Sequence, residues 1–126
     1  IVFDHVLIKT LKTIYPKLHI ISMVRGVPVL NDATMDDANQ IGLINTVEVM
    51  GNGSTIAGTC LEDISAEALK VIQNADVVIS KGQGNFETLY GCNLNVYYLF
   101  MCKCHLFADR FKKNLYEGML INDKSV

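Results

Sequence analysis

Short apolar runs set between segments of helical periodicity constrain this chain more than any other feature. Ile20-Ile21-Ser22-Met23-Val24 and Asp76-Val77-Val78-Ile79-Ser80 are nearly continuous and rich in β-branched residues, and Asn95 to Cys102 is the most apolar stretch of all. Runs of this length read as strands buried on both faces, the mark of a parallel sheet. Thr46 to Met50 adds a further strand, and Leu120-Ile121-Asn122 a short last one. Between them lie helices. Ile1 to Tyr15 places Phe3, Val6, Leu7, Leu11 and Ile14 on one face and His5, Lys9, Lys12 and Thr13 on the other, and Pro16 ends it. Thr34 and Asp37 stand at capping-box spacing before a helix from about Met35 to Ile41. Ser65 caps a helix through Asn74 that turns Leu69, Val71 and Ile72 inward, and Asn85 caps a short one over Phe86 to Tyr90. Cys104 to Asn114 reads as mixed loop and helix. The alternation predicts an α/β fold whose mostly parallel sheet is covered by helices on both faces. Ligands of such sheets sit outside the carboxyl ends of the strands, so strand-end loops are the places to look for function.

The 126 residues suffice for one domain with a real core, and 50% hydrophobic against 19% charged residues exclude a disordered chain. A formal net charge of −2 argues against electrostatic binding to nucleic acid or anionic lipid. The longest apolar run, Val96 to Cys102, is far short of the ~20 residues that span a bilayer. No basic segment precedes an apolar stretch as in a signal peptide. Cys60, Cys92, Cys102 and Cys104 read as reduced thiols. The expectation is a soluble, cytoplasmic protein without nucleic-acid or membrane partners.

Two strand-end loops carry chemistry. Arg25-Gly26-Val27-Pro28-Val29-Leu30-Asn31-Asp32-Ala33-Thr34 supplies a cation, an amide, a carboxylate and a hydroxyl after the first buried strand. Asp32 has two readings: an N-cap of the helix that follows, or a ligand for a hard cation such as Mg²⁺ or Mn²⁺. One carboxylate holds such an ion poorly, so further ligands would come from elsewhere. Arg25, after four apolar strand residues, is expected at the rim of the site. In Ser80-Lys81-Gly82-Gln83-Gly84-Asn85 two glycines let the backbone turn its N–H groups toward an anion, and Lys81 adds a point charge. This is neither a Walker A loop, whose Lys follows the glycines, nor a dinucleotide fingerprint, whose third glycine falls on Glu87. An anion cradle beside a metal carboxylate is the recipe for metal-assisted phosphoryl hydrolysis.

Other groups fit structural roles better. Cys102-Lys103-Cys104-His105 lacks a second Cys/His pair at zinc spacing. His5 and His19 have no nucleophile-elbow context. Arg110, Lys112 and Lys113 suit a solvated helix face, and Tyr97, Tyr98 and Phe100 suit a core.

Taken together, the loop from Arg25 to Thr34 and Ile79-Ser80-Lys81-Gly82-Gln83-Gly84-Asn85-Phe86-Glu87-Thr88-Leu89 resemble the DUF89 family of metal-dependent damage-control phosphatases, which includes the ARMT1-like proteins. Tyr97-Tyr98-Leu99-Phe100 with Lys103-Cys104 resembles the strand that follows the lysine loop in that family. The resemblance implies a three-layer α/β/α fold with a mostly parallel, Rossmann-like sheet. It implies a divalent metal, Mg²⁺ or Mn²⁺ with Co²⁺ or Ni²⁺ as further options, and hydrolysis of small phosphorylated metabolites such as sugar phosphates or phosphopantetheine-like compounds. On it Asp32 matches a metal-ligand aspartate and Lys81 the lysine that binds substrate phosphate. Gly82, Gly84 and Asn85 would shape the anion loop, and Arg25 and Asn31 would line the site. The family's Asp-Asn-x-Gly-Glu motif leads directly into Ile-Val-Phe-Asp, which stands here as Ile1-Val2-Phe3-Asp4. That implies that residues 1–126 are the C-terminal part of a single catalytic domain, its N-terminal strand and metal motif lying outside this sequence. The alternative is a non-catalytic phosphometabolite-binding module or a degenerate family member.

Overall fold

Every segment read above as a strand or helix forms one, with ends shifted by a few residues, in the computed structural model, which describes residues 1–125. In chain order these are α1 (Val2–Ile14), β1 (Ile21–Val24), α2 (Met35–Gln40), a 3₁₀ turn (Leu43–Asn45), β2 (Glu48–Gly51) and α3 (Ala66–Asn74). They continue with β3 (Val78–Lys81), α4 (Gln83–Leu89), β4 (Val96–Met101), α5 (His105–Phe111), β5 (Gly118–Asn122) and a 3₁₀ turn (Asp123–Ser125). The α/β class stands. The strands fall into two hydrogen-bonded sheets, and the chain into two compact units: Ile1–Thr55 with Asp63–Ala68, and Ile56–Glu62 with the chain from Leu69 onward.

In the first unit β1 and β2 pair in parallel from Ile21↔Glu48 to Val24↔Gly51, and a further parallel bridge joins Arg25 to Thr34. The core is Ile8, Val24, Ala38, Leu43 and Val47. The expected inward face of α1 is corrected: Phe3 is 86% exposed and Val6 and Ile14 are exposed too, while the helix buries His5 and Ile8. A hydrogen bond explains the reversal, since His5 Nε2 lies 2.8 Å from Thr46 Oγ1. That contact satisfies the ring nitrogen and lets a polar residue face inward.

The second unit holds β3-β4-β5, with β3–β4 parallel as expected and β4–β5 antiparallel. One sheet face carries Ser80, Val96, Tyr98, Phe100 and Met119 into the core. The other carries Ile79, Tyr97, Met101 and Leu120, all exposed, so β3 is not buried on both faces; nor is β1, where only Val24 is buried. Phe86 on α4 sits among the rings of Tyr90, Tyr98, Phe100, Phe107 and Phe111 at centroid distances of 4.9–5.7 Å. Edge-to-face and stacked geometries of this kind add to the burial of each ring. The cluster fixes α4, and with it the loop that leads into α4.

Candidate functional site

The loop after β1 begins where strand pairing ends. Arg25 still pairs through its backbone, its N–H donating to Ala33 O at 2.9 Å, while Asp32 N–H closes a turn onto Val29 O at 3.0 Å. These bonds fold the loop back so that Arg25 Nε donates to Asp32 Oδ2 at 2.8 Å. Arg25 is only 7% exposed and Asp32 is 43% exposed. The guanidinium is thus held in the fold and is not a solvated charge, and it aims a half-exposed carboxylate. Asp32 is not the cap of α2. That role belongs to Thr34, whose N–H and hydroxyl both donate to Asp37 Oδ2 at 2.8 Å, while Asp37 N–H reaches back to Thr34 Oγ1 at 3.5 Å. The hydrogen bonds from Thr34, backbone first and then hydroxyl, hold the Asp37 carboxyl below the usual carboxylate range. A cleft of about 210 Å³ opens beside the loop, lined by Arg25, Gly26, Val27, Pro28, Thr34, Met35 and Asp36. Asn31 is exposed.

A residue not singled out above holds this corner together. Asn52, 3% exposed, follows β2 and accepts at Oδ1 from Gly26 N–H and Ser54 N–H, both at 3.0 Å. Its own N–H donates to Val24 O and its carbonyl accepts from Ser65 N–H, both at 2.9 Å. The two loops touch so closely that a Cβ on Gly26 would lie 2.7 Å from Gly53 Cα and N, which only glycine permits. An Asn-Gly dipeptide such as Asn52-Gly53 signals a turn, and nothing local to it discloses this contact.

The loop after β3 is built differently. Gly82 has φ +90° and N-caps α4 without a side chain to offer its first turn, and its N–H donates to Leu99 O at 3.0 Å. That amide therefore extends the sheet. Asn85 is not the cap expected of it: it lies inside α4, where Nδ2 donates to Lys81 O at 2.6 Å and Oδ1 accepts from Thr59 Oγ1 at 2.8 Å. Thr59 N–H donates in turn to Thr88 Oγ1 at 2.7 Å. Lys81 is exposed at the strand end, and Gly84 sits in the first helical turn. Ser80, just before Lys81, has a buried hydroxyl with no hydrogen-bond partner among the described residues.

Each unit thus places its expected residues at a strand end: Arg25, Asn31 and Asp32 in one, Lys81, Gly82, Gly84 and Asn85 in the other. The described residues do not by themselves fit a metal centre. No group of three His, Cys, Asp or Glu side chains among them could hold an ion, and Asp32, the expected ligand, is a single carboxylate already accepting from Arg25. The four cysteines are free thiols, with Cys102 buried and its thiol pushed up chiefly by burial. No helix among the described residues is long and apolar enough to cross a membrane.

Residues 1–119 match the family model of the damage-control phosphatase ARMT1-like domain. An uncharacterized protein of Methanocaldococcus jannaschii is 37% identical over 125 residues, which is 96% of this chain and 40% of that protein. A damage-control phosphatase of Pyrococcus horikoshii is 37% identical over 111 residues, covering 87% of this chain and 38% of its own length. A crystal structure of a DUF89 family protein from Pyrococcus horikoshii superposes with a TM-score of 0.88 at 32% identity, covering 96% of this chain and 42% of that one. The chain spans about two fifths of the length of the relatives it matches.

Proposed function

Because the chain belongs to the damage-control phosphatase ARMT1-like domain family, we propose that it works as the C-terminal part of a single catalytic domain that hydrolyses small phosphorylated metabolites in the cytoplasm. Sugar phosphates and phosphopantetheine-like compounds are the substrate classes in view. The observation that carries the reading is the Arg25–Asp32 pair: a half-exposed carboxylate held in one orientation at the carboxyl end of a parallel strand by a buried guanidinium. A fold rarely encloses an arginine to aim a carboxylate outward for stability alone, since the desolvation of the pair offsets much of its attraction.

Roles follow from the chemistry of each group. Lys81, exposed at the end of β3, supplies a positive charge for a phosphoryl group, and charge placed where the transition state develops it lowers the barrier. Asn85 fixes the Lys81 carbonyl and so sets the angle at which the chain leaves the strand. Gly82 and Gly84 keep side chains away from the approach to that loop. Arg25 holds Asp32, and Asn31 stands beside it on the exposed surface. A divalent metal, Mg²⁺ or Mn²⁺, belongs to this reading as a cofactor of the full-length protein. Asp32 would supply one ligand and chain outside this sequence the others.

The test is phosphate release from p-nitrophenyl phosphate and fructose 1-phosphate by the full-length protein, with and without Mn²⁺. Asp32→Ala and Lys81→Ala are each expected to lower the metal-stimulated rate by about 10²-fold or more. If both kept the wild-type rate, the assignment would fall. A ligand-dependent rise in melting temperature without turnover would favour the phosphometabolite-binding module instead.

A further inference from the structure

We infer that Asn52 is a positioning residue for the Asp32 loop: through Gly26 it fixes where the main chain leaves β1, and so where Arg25 holds Asp32. The inference rests on the reading of that loop as part of an active site. Asn52 lies 26 residues beyond Gly26 in sequence, on the loop after β2, yet its Oδ1 takes the Gly26 N–H at 3.0 Å. The same oxygen takes Ser54 N–H, and the main chain of Asn52 binds Val24 O and Ser65 N–H. One residue, 3% exposed, thereby ties the end of β1, the loop after β2 and the residue that precedes α3, its side chain holding Gly26 and Ser54 and its main chain Val24 and Ser65.

The chain of contacts onward is short. Gly26 follows Arg25, whose N–H is bound to Ala33 O and whose Nε is bound to Asp32 Oδ2. The glycine approach at Gly26 and Gly53 leaves no room for the loops to slide past each other, so the Asn52 oxygen sets their register while backbone contact sets their spacing. If that oxygen is removed, the Gly26 N–H and the buried Ser54 N–H lose this acceptor, and the Arg25–Gly26 peptide loses a tie that orients it. The contribution of Asn52 is therefore geometric. It does not touch the Asp32 carboxylate, so its loss is expected in turnover and not in ground-state binding.

The experiment compares Asn52→Leu, Asn52→Asp and Asp32→Ala in the full-length protein with p-nitrophenyl phosphate and saturating Mn²⁺, reading kcat, KM and the melting curve. Asn52→Leu keeps the bulk and removes the acceptor, whereas Asn52→Asp keeps an acceptor oxygen in place. The expected result is a fall in kcat on the order of 10²-fold for Asn52→Leu with KM within about threefold. Asn52→Asp should recover kcat to within about tenfold of wild type. Should Asn52→Leu fail to fold, Asn52→Ala, which also removes the acceptor, takes its place in the same comparison. A folded Asn52→Leu or Asn52→Ala with wild-type kcat, or Asn52→Asp losing as much as either, overturns the inference while Asp32→Ala remains inactive. An active Asp32→Ala overturns the reading of the loop itself, and the inference with it.

Discussion

In the loop after β1 the contacts that fix the chain are polar and partly buried: Arg25 on Asp32, Asn52 on Gly26, Thr34 on Asp37. The loop after β3 leads into a helix fixed by aromatic rings around Phe86, with Asn85, Thr59 and Thr88 forming a polar latch nearer the surface. Both loops present a charged side chain at a strand end, yet one depends on hydrogen-bond geometry and the other on apolar burial. The difference matters because the two kinds of support fail differently. Loss of a polar contact misdirects a loop and can leave the unit folded, whereas loss of a ring opens a cavity and loosens everything that packs on it.

Phe86→Ala gives the largest effect this comparison predicts. It removes the ring at the centre of the second unit's cluster and should destabilise by about 4 kcal/mol, read from chemical denaturation. Far-UV and near-UV spectra of the variant should show loss of aromatic packing before loss of helix. A cost under about 1 kcal/mol would mean that the polar latch, not the rings, holds α4.

Arg25→Ala should come next, at about 2 kcal/mol, because its partner Asp32 is 43% exposed and can recover water when the guanidinium goes. Asn85→Ala, which removes the corresponding tie in the other loop, should cost about 1 kcal/mol, the ordinary worth of a partly exposed hydrogen-bonded side chain. Equal costs for the two variants would erase the distinction between buried and peripheral ties.

The way these ties arise explains how much of the molecule could be read in advance. The alternation of strands and helices, the Thr34–Asp37 capping box and the Ser65 cap of α3 are local patterns, and all are found. The two loops were located by the same logic, since each follows an apolar run. What they contain was not legible, because it depends on contacts across the sequence. Asp32 read as a cap or a ligand; its bond to Arg25 requires the loop to fold back through Ala33 and Val29. Asn52 sits in a dipeptide that signals only a turn. The inward turn of His5 depends on Thr46, 41 residues away, and no periodicity in α1 could disclose it. In β3 and β1, β-branched runs suggested burial on both faces, but composition reports strand propensity more reliably than it reports what lies against each face.

The smallest prediction concerns how each loop enters its helix. α2 begins with a titratable capping box, α4 with a glycine that has no side chain to lose. Hydrogen bonds from Thr34 lower the Asp37 pKa below its ordinary value in the folded state. A depressed carboxylate stabilises the fold at every pH above its unfolded value, and that contribution disappears as pH falls through the lowered folded one. Acidification from about pH 6 to about pH 3 should therefore reduce the protection of α2 amides from hydrogen exchange in the wild type relative to Asp37→Asn, whose amide does not titrate. At the higher pH the wild type should be the better protected of the two, and the gap should close as the carboxylate is protonated. Amides of α4, measured in the same samples, serve as the internal reference. A gap that stayed constant across this range would mean that Asp37 supports α2 through packing or an uncharged hydrogen bond, and the contrast between the two helix starts would then lie in shape alone.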